Sequence, residues 1–336
     1  NVGFYNGSDA ATFVTFAFFE DPDVRLGEIT VFASPRRPLQ LNDAEIFQRL
    51  GISRDVPNFH CIATASHGDA SIHAYAAVID NRSLDPIFVP GQNAAAMAEP
   101  KITLPAAASL HGAAGTFFHS DVRVWNASSS VAEVTARFAC FAGDCGERVF
   151  SVGPRQAIAW DDVVTSLFHL PENAGAMEFV SEQPIVVTSR LYTPDRTAPT
   201  VGMFVPGLPP PRASPALVLN GLSRPADPAS GSRVNVGVFN QSEVAQVVTY
   251  RLVDGTGTTL GQTARLFAPR EAFQVNDVFA FLNVAGPVET AYCLIEGSEA
   301  LPLFAYAAVI DNRSQDPIFI PGEDDPEHPP IVPLAK

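Results

Sequence analysis

The residues of this 336-residue chain that could do chemistry are few, and most of them recur. Five Asn-x-Ser triplets begin at Asn6, Asn81, Asn126, Asn240 and Asn312. Each is an asparagine turn followed by a hydroxyl, and in a secreted protein of a glycosylating organism each is an acceptor for N-linked glycan. Cys140 and Cys145 bracket Phe-Ala-Gly-Asp, a turn, so their spacing predicts a disulfide closing a hairpin and implies an oxidising compartment. Zinc is the alternative for that pair, but it lacks a second pair of ligands. Cys61 and Cys293 stand at matching places in two repeats and read as buried thiols. The histidines (His60, His67, His73, His111, His119, His169 and His328) have no metalloprotease spacing. Gly255-Thr-Gly257-Thr-Thr-Leu-Gly261 has neither the spacing nor the strand-to-helix context of a phosphate loop, and no Gly-x-Ser-x-Gly elbow occurs. These residues predict no enzyme and no cofactor.

One acidic loop stands out because it is written twice. Ala74-Tyr-Ala-Ala-Val-Ile-Asp-Asn-Arg-Ser-Leu-Asp-Pro-Ile-Phe-Val-Pro-Gly91 returns as Ala305-Tyr-Ala-Ala-Val-Ile-Asp-Asn-Arg-Ser-Gln-Asp-Pro-Ile-Phe-Ile-Pro-Gly322, differing only at Leu84/Gln315 and Val89/Ile320. A worn copy runs through 187–207. Asp80, Asp85, Asp311 and Asp316 are the hard oxygen ligands a Ca²⁺ would want. The intervening Arg82 puts a cation where the metal would sit, so we read the loop as clamped by the Arg82 guanidinium instead, and no metal is expected. On either side of it lie an apolar run and a proline-started second strand, which makes the unit a hairpin.

Around that hairpin the chain is organised as three copies of one plan. The first strands end in Asn6, Asn126 and Asn240. A Pro-Arg pair follows in each copy, as Pro35-Arg36, Pro154-Arg155 and Pro269-Arg270. Asp43, Asp162 and Asp277 are placed to cap short helices over 44–50, 163–170 and 278–284. About seven short strands per copy, separated by regular turn signals, predict an all-β protein of three tandem antiparallel β-sandwich domains, immunoglobulin-like in architecture, each with one short helix. The boundaries read as domains over 1–92, 119–208 and 232–323, with linkers over 93–118 and 209–231 and a tail over 324–336.

Each linker and the tail carry a short β-like segment: Ile102-Thr-Leu104, Leu217-Val-Leu219 and Ile331-Val-Pro-Leu334. If each segment pairs with the domain before it, the chain is three complete units with nothing left over; if each pairs with the domain that follows it, domain 1 is short of a strand. Ile331, Val332 and Leu334 are then a donor strand for another copy, with Val2 and Phe4 as the expected acceptor. Strand addition to an exposed edge gives tight association, and heterologous joining of identical subunits gives a filament.

The segments Gly115-Thr-Phe-Phe-His-Ser-Asp-Val-Arg-Val-Trp-Asn126, the Pro-Arg/Asp region and the hairpin ending in Val-Pro-Gly resemble repeats of large secreted or surface proteins of environmental bacteria. That resemblance implies an extracellular β-sandwich with no transferable active site. The net charge of −15 speaks against nucleic acid and anionic membrane as partners, and no apolar run is long enough for a membrane span. The abrupt start at Asn1 suggests a removed leader or missing upstream residues. The expected function is a secreted, non-enzymatic structural protein, the subunit of an extracellular filament or surface assembly whose partners are copies of itself. The rival is a cell-surface adhesion or glycan-binding module using Trp125, Trp160 or Tyr192.

Overall fold

The computed structural model describes residues 1–68, 70–93, 98–112, 115–194, 200–227 and 229–325. The expected donor residues Ile331, Val332 and Leu334 lie outside them. The chain is all-β and built of antiparallel sandwiches. Its strands form where apolar residues alternate. In β2 (Thr12–Glu20), Val14, Phe16 and Phe18 are buried while Phe13 faces solvent. Each such side chain contributes about 1.5–3 kcal/mol when fully covered.

Repeat 1 pairs β1 (Val2–Asn6), β4 (Pro38–Leu41), β6 (Ile72–Ile79) and β7 (Pro86–Pro90) in the order β4-β1-β6-β7. Against this sheet lies a second one, β3-β2-β5, in which β3 spans Val24–Ala33 and β5 spans Phe59–Ala65. The middle copy contains β8 (Glu99–His111), β9 (Phe117–Asn126), β10 (Ala132–Cys140), β11 (Gly143–Val152), β12 (Ala157–Trp160), β13 (Asn173–Tyr192) and β14 (Gly202–Pro206). Its strand β13 is continuous through both layers: its first half pairs with β10 and β8, its second half with β9 and β14. The last copy holds β15 (Ala216–Arg224), β16 (Ser232–Asn240), β17 (Gln246–Asp254), β18 (Thr259–Phe267), β19 (Ala272–Val275), β20 (Val288–Gly297), β21 (Leu303–Asp311), β22 (Pro317–Pro321) and β23 (Glu323–Asp324). Its sheets run β19-β16-β21-β22 and β18-β17-β20-β15-β23.

Two expectations change. The short segments expected within 93–118 and 209–231 are parts of longer strands, Glu99–His111 and Ala216–Arg224. Ile102 and Leu104, and Leu217 and Leu219, are at most 1% exposed, because β8 and β15 are integral strands of the sandwich that follows. The first helix, α1 (Asp43–Leu50), is capped by Asn42, whose side chain accepts from the Glu45 N–H, so Asp43 is its first helical residue. Asp162 and Asp277 do cap the short turns α2 (Val163–Ser166) and α3 (Val278–Phe281). The arginines of the three Pro-Arg pairs, Arg36, Arg155 and Arg270, all take a left-handed conformation, with φ of 53°, 60° and 55°. That common kink turns the chain into β4, β12 and β19.

Candidate functional site

The three sequence copies differ at one strand position. In the middle copy β8 closes the sheet against β13, with Leu104 opposite Met177 and Ile102 opposite Phe179. In the last copy β15 closes it against β20, with Leu219 opposite Cys293 and Leu217 opposite Ile295. The corresponding strand of repeat 1 is β5, since Cys61 faces Phe18 as Met177 faces Phe138 and Cys293 faces Leu252. Among the described residues β5 pairs only with β2, so its outer edge is open. Met177 and Cys293 are fully buried, whereas Cys61 is half-buried, and Phe59 and Ile62 beside it are 43% and 38% exposed. Even so, burial pushes the Cys61 thiol up to about 12, so this cysteine is a packing group rather than a nucleophile.

In the other two copies the strand at this position is bonded on its far side as well. After its Pro-Gly stop, Leu208 exchanges backbone hydrogen bonds with Thr103 of β8, at 2.7 and 2.8 Å. In the last copy β23 does the same for β15, pairing Val218 with Glu323. Repeat 1 follows the same path as far as its Pro-Gly stop, where the Gly91 N–H donates to Ala74 as those of Gly207 and Gly322 donate to Val187 and Ala305. Gln92 is next in the sequence, at the position of Leu208 and Glu323. An exposed row of alternating N–H and C=O groups, as at the β5 edge, is a template for one more strand.

The acceptor assignment from sequence needs correcting. Val2 and Phe4 lie in β1, which is bonded to β4 on one side and β6 on the other, and both side chains are buried. No backbone edge remains there. The edge is β5, and its apolar pattern resembled any buried strand; comparison with β13 and β20 is the signal that finds it.

The asparagine triplets also resolve. Asn6, Asn126 and Asn240 are wholly buried. The Asn126 amide donates to the carbonyls of Ser130, Val152 and Gly153 at 2.7, 3.1 and 3.0 Å, and its Oδ1 accepts from the Ser128 N–H. Asn6 and Asn240 repeat this knot. Reading these three as glycan acceptors is overturned, because an amide nitrogen inside the fold cannot carry a sugar. Asn81 stands exposed, while the Asn312 side chain accepts from Arg233. Cys140 and Cys145 are joined by a disulfide.

The acidic loops are held by carboxylates, not by arginine. Asp80 Oδ1 accepts from the backbone N–H groups of Ser83 and Arg82, at 2.7 and 2.8 Å, and from the Ser83 hydroxyl. These bonds hold its carboxyl down to about 2. Asp311 is bound in the same way by Ser314 and Arg313. The guanidinium of Arg82 has no ion-pair partner among the described residues. Asp85 and Asp316 meet across a shallow surface lined by Ser83, Leu84 and Val201, where burial raises both carboxyls and each also feels a neighbouring aspartate. Among the described residues no group of three or more His, Cys, Asp or Glu could hold a metal.

The aromatic residues of the glycan reading are already engaged. Trp160 packs edge-on to Phe150 with ring centres 4.4 Å apart, Arg155 covers Trp125, and the Tyr192 hydroxyl donates to Asp121 at 2.9 Å.

No protein-family profile matches the chain, and no curated protein does. Solved structures give distant similarities. Bacteroides uniformis β-glucuronidase 2 is 8% identical with a TM-score of 0.17, over 95% of this chain and 32% of that one. A chain from infectious bursal disease virus, Gx strain, is 10% identical with a TM-score of 0.19, over 96% and 76%. Ruminococcus gnavus β-glucuronidase is 8% identical with a TM-score of 0.13, over 94% and 46%. The chain thus spans about a third of the first of these. Scores this low carry no functional argument.

Proposed function

We propose that this protein is a secreted, non-enzymatic structural subunit, and that copies join head to tail when the β-segment at 331–334 of one copy adds to β5 of the next. The observation that carries this reading is the open edge of repeat 1 at the strand position β8 and β15 occupy in the other two copies. Two further features support it. The segment Ile331-Val-Pro-Leu334 follows its Pro-Gly stop at nearly the distance seen for β8 and β15. The Cys140–Cys145 disulfide suits an oxidising, extracellular setting. Strand addition supplies main-chain hydrogen bonds from each donor residue except Pro333, which has no N–H, and side-chain pockets on alternate residues, and together these fix affinity and register.

The test is the chain ended at residue 325, compared with the full chain by sedimentation and electron microscopy. Loss of assembly with unchanged circular dichroism is the expected result, and a peptide of residues 326–336 should block assembly of the full chain. Assembly of the shortened chain at the full-length concentration would sink the proposal.

A further inference from the structure

The duplicated hairpin points to a second contact between copies, beyond the strand addition. In repeat 3, β21 uses both faces. Ala305, Ala307 and Val309 pack into that repeat's own core, while Tyr306, Ala308, Ile310 and the neighbouring Phe319 join the core of the preceding repeat. There they meet the hydrophobic cluster that contains Met203 of β14, which is 5% exposed. One step earlier the hairpin of repeat 1 sits against repeat 2 in a related way. β7 lies along β14, Ile87 is 7% exposed, and the Thr200 hydroxyl donates to Asp80 at 3.0 Å.

Continuing this series leaves two unmatched surfaces. Ile318 of β22 occupies the place of Ile87 and Met203, opposite Val309 as Ile87 is opposite Val78 and Met203 opposite Leu191. It is 62% exposed. In repeat 1 the letter-for-letter counterpart of the buried Tyr306, Ala308, Ile310 and Phe319 face is Tyr75, Ala77, Ile79 and Phe88. There Ile79 and Phe88 lie open to solvent, and Tyr75 stacks on Phe88 at 5.5 Å as Tyr306 stacks on Phe319. The two surfaces are the two halves of a junction the chain already makes between repeats 2 and 3.

We infer that the Tyr75, Ala77, Ile79 and Phe88 face of one copy covers Ile318 of the preceding copy, so that repeat 3 meets the next repeat 1 as repeat 2 meets repeat 3. The occupant is a second copy of this chain, and the grounds are continuity with the internal junction and sequence identity of the buried face. This contact rests on the head-to-tail reading, yet it uses side chains that the chain ended at 325 still carries. It also explains why repeats 1 and 3 keep the same hairpin: both present their outer face to the end of a preceding repeat.

The experiment is assembly of the full chain carrying Phe88→Asp or Ile318→Asp, beside the chain ended at 325. Both side chains are solvent-exposed in the single copy, so melting temperatures of unassembled protein should match the parent; Phe88→Ala and Ile318→Ala provide milder versions. The expected result is at least a tenfold rise in the concentration needed to assemble for each aspartate variant, and a smaller rise for each alanine. If both aspartate variants assemble like the parent while the shortened chain does not, this contact is overturned and strand addition stands. If the shortened chain assembles normally and the aspartate variants do not, strand addition falls and this contact stands.

Discussion

Asn126 commits its amide to three carbonyls of its own turn, and its buried position leaves no water to replace them. Asn126→Ala should therefore lower unfolding free energy by about 1–3 kcal/mol, the penalty for leaving buried acceptors unpaired, as read by urea denaturation. Mass spectrometry of the chain purified from a glycosylating host should find Asn6, Asn126 and Asn240 bare. The acidic loops give a pH dependence with two signs. Asp80 ionises more easily in the folded chain than in the unfolded one, so its stabilisation is complete above 3.8 and is lost as pH falls toward about 2. Asp85 and Asp316 are raised, so their ionisation opposes folding at neutral pH and that cost disappears as acid protonates them. Stability of the hairpin junction should thus rise on mild acidification before it falls. Asp85→Asn should raise the neutral-pH stability by roughly half a kcal/mol, the scale of a screened charge pair, and flatten the rise. A melting series from neutral pH downward checks both.

At the scale of elements, strands are held in register by close fits that only glycine permits. Gly237 of β16 faces Tyr306 of β21, and a Cβ there would come within 2.1 Å of the tyrosine ring. Gly3 stands against Tyr75 in the same way. Gly237→Val should displace the ring, break its 2.7 Å bond to Gln274 and cost about 1–3 kcal/mol through overpacking, measured by thermal unfolding. Much of this architecture was legible in the sequence, because period-two alternation, Pro-Gly stops and Asp caps are local signals. The all-β class, the duplicated hairpin and two of the three helix caps come from them directly. The host of β8 and β15 was not legible, since Ile102 and Leu217 report that they must be buried but not by which neighbour. The Asn-x-Ser triplets misled for a related reason: the letters that make a glycan acceptor also make a turn, and only burial separates them. Val2 and Phe4 failed as acceptors because apolarity marks a strand's face, while accepting a new strand depends on its edge.

Across the whole molecule, repeats 2 and 3 are tied by a charge cluster as well as by apolar contact. Glu178 is 1% exposed and is paired with Lys101 at 2.8 Å and with Arg270, while Gln241 donates to it at 3.0 Å. Glu178→Ala leaves the partly buried Lys101 without its carboxylate and Arg270 with only the exposed Glu243, and should cost about 3 kcal/mol, read as earlier, less cooperative thermal unfolding. Among the described residues repeat 1 has no such tie at its open edge, so amide hydrogens of β5 should exchange faster than those of β13 and β20, and should slow down if copies associate as proposed. The near-identity of 74–91 and 305–322 has a last consequence. If the joint between copies imitates the joint inside each copy, the fibre carries a pseudo-period one third as long as its chemical subunit. Its diffraction should show a strong layer line at the rise per sandwich, flanked by faint ones at the threefold longer spacing that betray where one polypeptide stops and the next begins.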